Sequence, residues 1–587
     1  MTGADTTKQK HSTQGWGGLL LVLFTLGIAV AMTWRKWPDI LIDFGFQLYL
    51  PWQISTGKVL GRDVMYLPGG PLSIYYHALL FKCFGVSFFT IIISNLLILA
   101  GTLTLIYRRF LAVTDQFTAT LIGLAIVLVF ACGQYSETGN YNFLSPYAHE
   151  VVHGLALSIA AIALLSSWLT KEKIRYAAFA GISLGLAFLT KPEVFVALSF
   201  GVFAAFILSL RIKPKPFTFK SFAAFSVCAF VPVLTFSLFF SAGFRVVLSP
   251  WQALFSRAIE KNPLYLWCLG LDTPVFNIKM MFFHGILLGT ILFFLALICR
   301  RKMTQAKNRI FLVAFTAFLL ALASSYNWAD CGRSLPFLVL AAGYLCLIGK
   351  RPAIFPFLWS VFALFLLAKL GLYPRIWHYG FALAMPAFVT GIYLLVWLLP
   401  ERLERFHVQP RLFRSTIALV LFTGISNLYL QSQYVYQDKT IPVGQDRDTI
   451  MAYKAKRSLI GPAINQALDW MQKNTPPEAT LAVLPEGTIV KVLARRVNPT
   501  LYPAWHPPEL EAFGQGNMIA AFRAHAPDYV MLIHRDSAEY GRKYFGQEDR
   551  FGRELMQWIG KNYQPVELIG HEPLTNMFFG IKILKKR

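Results

Sequence analysis

Residues 38–85 read PDILIDFGFQLYLPWQISTGKVLGRDVMYLPGGPLSIYYHALLFKCFG, and the rest of the chain is best read outward from them. The stretch follows the first membrane-length apolar run, yet it holds three carboxylates, Asp39, Asp43 and Asp63, among aromatics, glycines and prolines. A plain connection between two membrane helices needs none of these. Residues 44–54 (FGFQLYLPWQI) are apolar with few interruptions, which suits a helix lying in the interface with its aromatic face among the headgroups. Residues 66–71 (YLPGGP) are a turn by composition, and 72–84 read as a second interfacial helix. The whole stretch is expected to form a carboxylate-bearing platform at the water boundary.

The surrounding chain explains why such a platform is needed. Hydrophobic residues make up 56% of the 587 residues and mean hydropathy is +0.50, values that exclude an ordinary soluble protein and a disordered one. Runs of about 17 to 25 apolar residues each suffice to span a bilayer core. Thirteen candidates occur, near 16–34, 88–107, 117–135, 150–169, 176–190, 194–210, 220–240, 280–299, 310–325, 335–349, 354–372, 381–399 and 415–434. The fold class expected is therefore an α-helical polytopic membrane protein over 1–434, including a first outer loop at 35–87. The tail, 435–587, has no further span. Helical patterns at 463–474, 518–525 and 551–563 alternate there with strand-like runs at 480–484, 529–533 and 578–584, which predicts a small α/β domain.

Orientation follows from Lys and Arg, which stay on the cytoplasmic side of short loops. With the N-terminus inside, every inner turn is basic: Arg108 and Arg109, Lys171 to Arg175, Arg211 to Lys220, Arg300 to Arg309, Lys350 and Arg351, and Arg402 to Arg414. The C-terminal domain then lies outside the cytoplasmic membrane. Residues 1–434 carry 35 Lys and Arg against 14 Asp and Glu, so most of the net charge of +25 is a topology signal and not a nucleic-acid surface. Nine of those 14 acids fall on the outer side: Asp39, Asp43, Asp63, Glu137, Glu150, Glu193, Glu260, Asp272 and Asp330. That concentration marks the working face. Seven cysteines, all before residue 435, imply no disulfide framework.

Ionisable residues near a membrane interior are costly, so each is a candidate for function. Asp39 and Asp43 also suit a capping role ahead of the apolar segment, and Asp63 a local ion pair with Arg62. Glu150 and His153 share a helix face with His149 beside them and are candidate ligands for a divalent metal; a hydrogen-bonded structural pair is the competing reading. Lys191, in Lys191-Pro192-Glu193, sits where Pro breaks a helix, and with Arg333, Arg375, His378 and Tyr379 it forms a set of outer-end groups suited to an anion. Carboxylates and cations together beside lipid suit transfer of a group from a lipid phosphate: a carboxylate takes the proton of an acceptor hydroxyl, and cations or a metal stabilise the departing phosphate.

These residues resemble a known family. Asp43-Phe44-Gly45, Leu48-Tyr49, Pro51-Trp52, Gly57-Lys58-Val59-Leu60, Arg62-Asp63-Val64 and Gly70-Pro71-Leu72 are similar to the first outer loop of C-type (GT-C) glycosyltransferases, bacterial membrane sugar transferases related to protein O-mannosyltransferases and the lipid A aminoarabinose transferase. Thr190-Lys191-Pro192-Glu193 and His378-Tyr379-Gly380-Phe381 resemble further segments of such proteins. The resemblance implies a GT-C fold of about thirteen spans with a soluble domain outside, a polyprenyl-phosphate sugar donor, inversion at the anomeric carbon, and an acidic first-loop residue as general base. Carried over, that residue is Asp43, with Asp63 as a second catalytic candidate and Lys191, Arg375, His378, Tyr379 and Arg333 toward the donor phosphate. Many relatives have an Asp-Glu pair where this chain has Asp43-Phe44, so a second acid must come from elsewhere or is absent. The acceptor class, whether lipid, glycan or protein, stays open, as do two alternatives: a lipid-linked glycan flippase, which would carry buried charges at mid-membrane, and an envelope glycan ligase or polymerase.

Overall fold

The computed structural model describes residues 15–67, 69–212, 216–239, 243–254, 262–300, 304–323, 325–348 and 353–587. Glu260 and the basic residues Lys213, Lys215, Arg301, Lys302, Lys350 and Arg351 lie outside the described residues. Within them, nine helices are long and apolar enough to cross a membrane: Phe88–Leu111, His149–Lys171, Pro192–Arg211, Phe219–Phe239, Pro263–Arg300, Gln305–Leu322, Trp328–Leu347, Gly380–Phe406 and Pro410–Gln437. Four shorter apolar helices accompany them, Trp16–Met32, Gln116–Ala131, Ile174–Phe188 and Ile354–Ala368. Each of the thirteen expected spans is thus a helix, as a lipid environment demands of a backbone that must satisfy its own polar groups. The shortest expected span, near 176–190, is held by small residues. A Cβ on Gly181 or Gly185 would collide with the backbone at Phe225 and Ala229 of the neighbouring helix, so glycine lets the two backbones meet.

The two ends of the bundle differ in chemistry. At one end the basic turns gather, with Arg414 paired to Asp115 at 2.6 Å and Arg109 donating to Ser167. At the other end the loop from 35 to 87 is tied to its neighbours through the main chain. Asn140 N–H donates to the Trp37 carbonyl at 3.1 Å, and Gly70 N–H to the Thr190 carbonyl at 2.6 Å. The C-terminal domain sits on this second end.

The two helices expected in the first loop are present, at Phe44–Ser55 and Leu72–Phe84. The environment of the first differs from expectation. Ten of its twelve residues are buried, because it is clamped between the bundle and the C-terminal domain instead of lying among headgroups. Gln47 Oε1 accepts from the His149 backbone N–H at 3.0 Å below, and above, a Cβ on Gly45 would run into the backbone of Thr488 and Ile489. Gly45→Val should therefore lever the C-terminal domain off the bundle. Overpacking of this kind costs about 1–3 kcal/mol, and faster proteolysis just beyond residue 437, together with a lower melting temperature, would register it.

The C-terminal part begins with an antiparallel hairpin of β1 (Lys439–Val443) and β2 (Ile450–Tyr453). A four-stranded sheet follows, made of β3 (Leu481–Leu484), β4 (Tyr529–Ile533), β5 (Tyr563–Gly570) and β6 (Gly580–Lys586) in the order β3-β4-β6-β5. β3 and β4 run parallel and the other pairings are antiparallel. β3, β4 and β6 match the expected strands. The hairpin and β5 were not expected; β5 contains Pro565, which an edge strand tolerates and which reads as a strand breaker in sequence.

Candidate active site

Between the loops at this end of the bundle and the C-terminal domain lies a cavity of about 430 Å³. Asp43 lines it, and local geometry explains how. Asp39 Oδ1 accepts from the backbone N–H groups of Leu41 and Ile42 at 2.8 and 2.9 Å, so Asp39 is the turn-forming acid. Phe44 N–H then donates to the Ile42 carbonyl at 2.6 Å, closing a γ-turn with Asp43 at its centre at φ 56°, ψ −55°. This form of the γ-turn is rare and strained for a residue with a side chain. Its effect is to turn the carboxyl toward the cavity, and Asp43 accepts no hydrogen bond from the helix it precedes. The capping role expected as an alternative belongs to neither acid at that helix.

Asp43 is surrounded by charges from the C-terminal domain. Its backbone N–H donates to Glu486 Oε1 at 3.3 Å. Glu486 Oε2 accepts from Arg535 Nε at 2.6 Å, and His506 Nε2 stands 3.3 Å from Glu486 Oε1, with Nδ1 3.4 Å from Glu509. Burial, and then Glu486, raise the Asp43 carboxyl to about 7, against the opposing pull of His506 and Arg535. Burial alone would raise Glu486 as well, but His506 and Arg535 outweigh it and hold Glu486 at about 2. Burial works against a charged His506, yet Glu486 and Glu509 raise it well above its ordinary value. The result is one proton-holding carboxyl at the cavity and one permanently ionised carboxylate behind it, the separation of roles seen wherever two acids share a site.

The opposite wall is aromatic and cationic. Lys191, His378 and Tyr379 line the cavity together with Tyr141, Tyr147, Trp267 and Trp377. Lys191 Nζ lies 5.6 Å from the Tyr147 ring centroid, and the His378 ring is 4.2 Å from that of Tyr141. Arg375 is 1% exposed, its guanidinium 4.5 Å from the Trp267 ring and 4.6 Å from that of Tyr373. None of its three side-chain nitrogens has a hydrogen-bond partner among the described residues. Burial lowers its pKa in spite of Cys268 and nearby tyrosines. A Cβ at Gly380 would strike the Arg375 carbonyl, which explains glycine in His378-Tyr379-Gly380.

The remaining sequence candidates stand away from the cavity. Asp63 is bound by Arg62 at 2.8 Å and by the Val59 N–H. Arg333 donates to Asn277 Oδ1 at 3.2 Å and lies over Tyr373. Glu150 is fully buried beneath Gly69, where a Cβ would come within 2.7 Å of its carboxyl carbon. His153 Nδ1 meets Ser73 Oγ at 2.9 Å. Among the described residues no three His, Cys, Asp or Glu side chains are arranged to hold a metal ion. The acids beside Asp43 do not fit one either: Glu486 is already matched by Arg535, and a protonated His506 has no lone pair to offer. No step below is routed through a metal.

No protein-family model and no curated protein matches this sequence. The structure does have counterparts. ArnT from Cupriavidus metallidurans, solved bound to undecaprenyl phosphate, superposes with a TM-score of 0.51 at 10% identity, over 97% of this chain and 98% of that one. The oligosaccharyltransferase AglB from Archaeoglobus fulgidus, solved with an inhibitory peptide and a dolichol-phosphate, gives 0.49 at 14% identity over 96% and 74%. The chain has the GT-C fold. Within this GT-C chain the sequence reading placed Asp43, Lys191, His378 and Tyr379 together correctly and missed Glu486, His506, Glu509 and Arg535. One local signal was available: Pro485-Glu486-Gly487 puts a charge directly after a wholly buried strand, at the strand end where α/β sheets carry their sites.

Proposed function

We propose that the protein is a glycosyltransferase that moves a sugar from a polyprenyl-phosphate donor to a hydroxyl acceptor at the loop-bearing end of the bundle. The observation that carries this reading is the pairing, across one cavity, of a carboxyl raised to about 7 with a buried guanidinium that has no hydrogen-bond acceptor among the described residues. A buried cation without a partner is expensive unless an anion completes it. The undecaprenyl phosphate in the ArnT structure is an anion of the required kind.

In the transfer, ionised Asp43 takes the proton from the acceptor hydroxyl as its oxygen attacks the anomeric carbon. The bond from that carbon to the phosphate oxygen breaks, with inversion, and the electron pair leaves on polyprenyl phosphate, whose charge Arg375 and Lys191 stabilise. The aromatic wall excludes water, which would otherwise compete as acceptor. Purified protein given a radiolabelled polyprenyl-phosphate sugar and envelope extract should release polyprenyl phosphate and label the extract. Release with no labelled product other than free sugar would refute acceptor transfer.

The basic turns put this face outside the cytoplasmic membrane of a bacterium. Asp549, whose side chain is 82% exposed, is a suitable place to test it: Asp549→Cys should react with an impermeant maleimide in spheroplasts. Protection there would reverse the orientation.

A further inference from the structure

The residue at the cavity belongs to the bundle, while the groups that govern it belong to the other domain. β3 and β4 are parallel neighbours, so both end at the same edge of the sheet, and Glu486 and Arg535 each follow two residues beyond their strand. That shared edge brings them into contact. The two residues after Gly487, Thr488 and Ile489, form the surface against which Gly45 packs, two positions from Asp43. The docking contact and the Glu486 contact are therefore one continuous feature of each chain segment.

We propose that Glu486 is a positioning residue for the transfer step, fixing Asp43 through its backbone N–H and through its charge, so that the site is complete only while the C-terminal domain is seated. This rests on the reading of Asp43 as the base. The hydrogen bond from Asp43 N–H supports a γ-turn that the backbone disfavours. Glu486 itself is immobilised by Arg535 and His506 and is 3% exposed, so it reaches substrate only through Asp43. The groups facing Asp43 are Glu486, His506, Arg535, Glu509 and Tyr540 from the C-terminal domain, and the phenols of Tyr66, Tyr141, Tyr147 and Tyr265 from the other side.

The test uses the full-length protein in detergent and a readout that needs no substrate. Dicyclohexylcarbodiimide reacts with protonated carboxyls, so the pH dependence of its adduct on the Asp43 peptide, followed by mass spectrometry, reports the state of that residue. The midpoint should lie near 7 in the native protein. In Glu486→Gln it should fall by about one pH unit or more, because a neighbouring negative charge is gone while Arg535 and His506 remain. Arg535→Gln should move it the other way, since a cation that favours ionised Asp43 is removed, and Glu486→Asp should keep it near the native value. Turnover of Glu486→Gln should drop roughly ten- to a hundredfold even at a pH where Asp43 is ionised, as misplacement of a reacting group predicts.

A role in folding alone would leave the midpoint unmoved in every variant that folds, and that outcome overturns the proposal. If Glu486→Gln does not fold, the upward shift in Arg535→Gln decides, and a native midpoint in that variant refutes the coupling. Failure of the base reading looks different: Asp43→Asn would then turn over normally while the midpoint shifts persisted.

Discussion

Asp43→Asn should abolish turnover and leave the protein folded with donor bound. The amide keeps the size of the side chain and an oxygen, but it cannot take the proton of the acceptor, and base assistance is commonly worth about 10²–10⁴ in rate. A structural role predicts the reverse, since an N-cap lost would lower stability with activity per folded molecule retained. The structure already weighs against that role, for the Asp43 carboxyl accepts nothing from the helix it precedes. Asp63→Asn is the internal comparison. Its carboxylate is spent on Arg62 and the Val59 N–H outside the cavity, so turnover there should stay near the native rate. Purified variants assayed with a polyprenyl-phosphate sugar decide the matter, and near-normal turnover by Asp43→Asn would remove the assignment.

The pH dependence follows with a definite sign. Only ionised Asp43 accepts a proton, so kcat/KM should rise as pH climbs through about 7 and level off above it. Stability should run the other way over part of this range. Between the ordinary value of 3.8 and about 7 the folded protein holds a proton on Asp43 that the unfolded chain has released, so the contribution of this group to stability falls as pH rises through that window. Activity at neutral pH is thus obtained against stability, a common arrangement at active sites.

Arg375→Ala should raise the donor KM with a much smaller effect on the acceptor. Charge-assisted hydrogen bonds to phosphate are worth roughly 1.5–3 kcal/mol, about ten- to a hundredfold in binding. The distinguishing feature is the stability of the protein without donor. A guanidinium whose nitrogens have no acceptor among the described residues is a burden on the free protein, so removing it should leave the melting temperature unchanged or higher, apart from the packing lost against Trp267 and Tyr373. Lys191→Ala should weaken donor use in the same direction. An unchanged donor KM in both variants would withdraw them from the site.

Much of the architecture was legible because membrane solvation writes it locally. Each of the thirteen apolar runs had to close its own hydrogen bonds, and each is a helix. Asp43 was legible for a related reason: a carboxylate beside aromatics at the end of a span is costly enough to need a purpose. Asp63 shows the limit of that reasoning, since the same cost was met there by the adjacent Arg62. Helix 44–55 shows another, because an apolar helix facing lipid and one facing a second domain have the same composition.

The sequence by itself determined the helices, the strands with buried runs, the basic turns and the acid that opens the first loop, all of which depend on neighbours within a few residues. Only the tertiary structure decided that Glu486 stands against Asp43, 443 positions away in the chain, that Arg535 and His506 neutralise Glu486, and that Arg375 is buried with no hydrogen-bond acceptor among the described residues. Charges act through space at distances set by packing, and the parallel pairing of β3 with β4, the seating of Gly45 on Ile489 and the strained turn at Asp43 bring together groups whose interaction leaves no pattern along the chain.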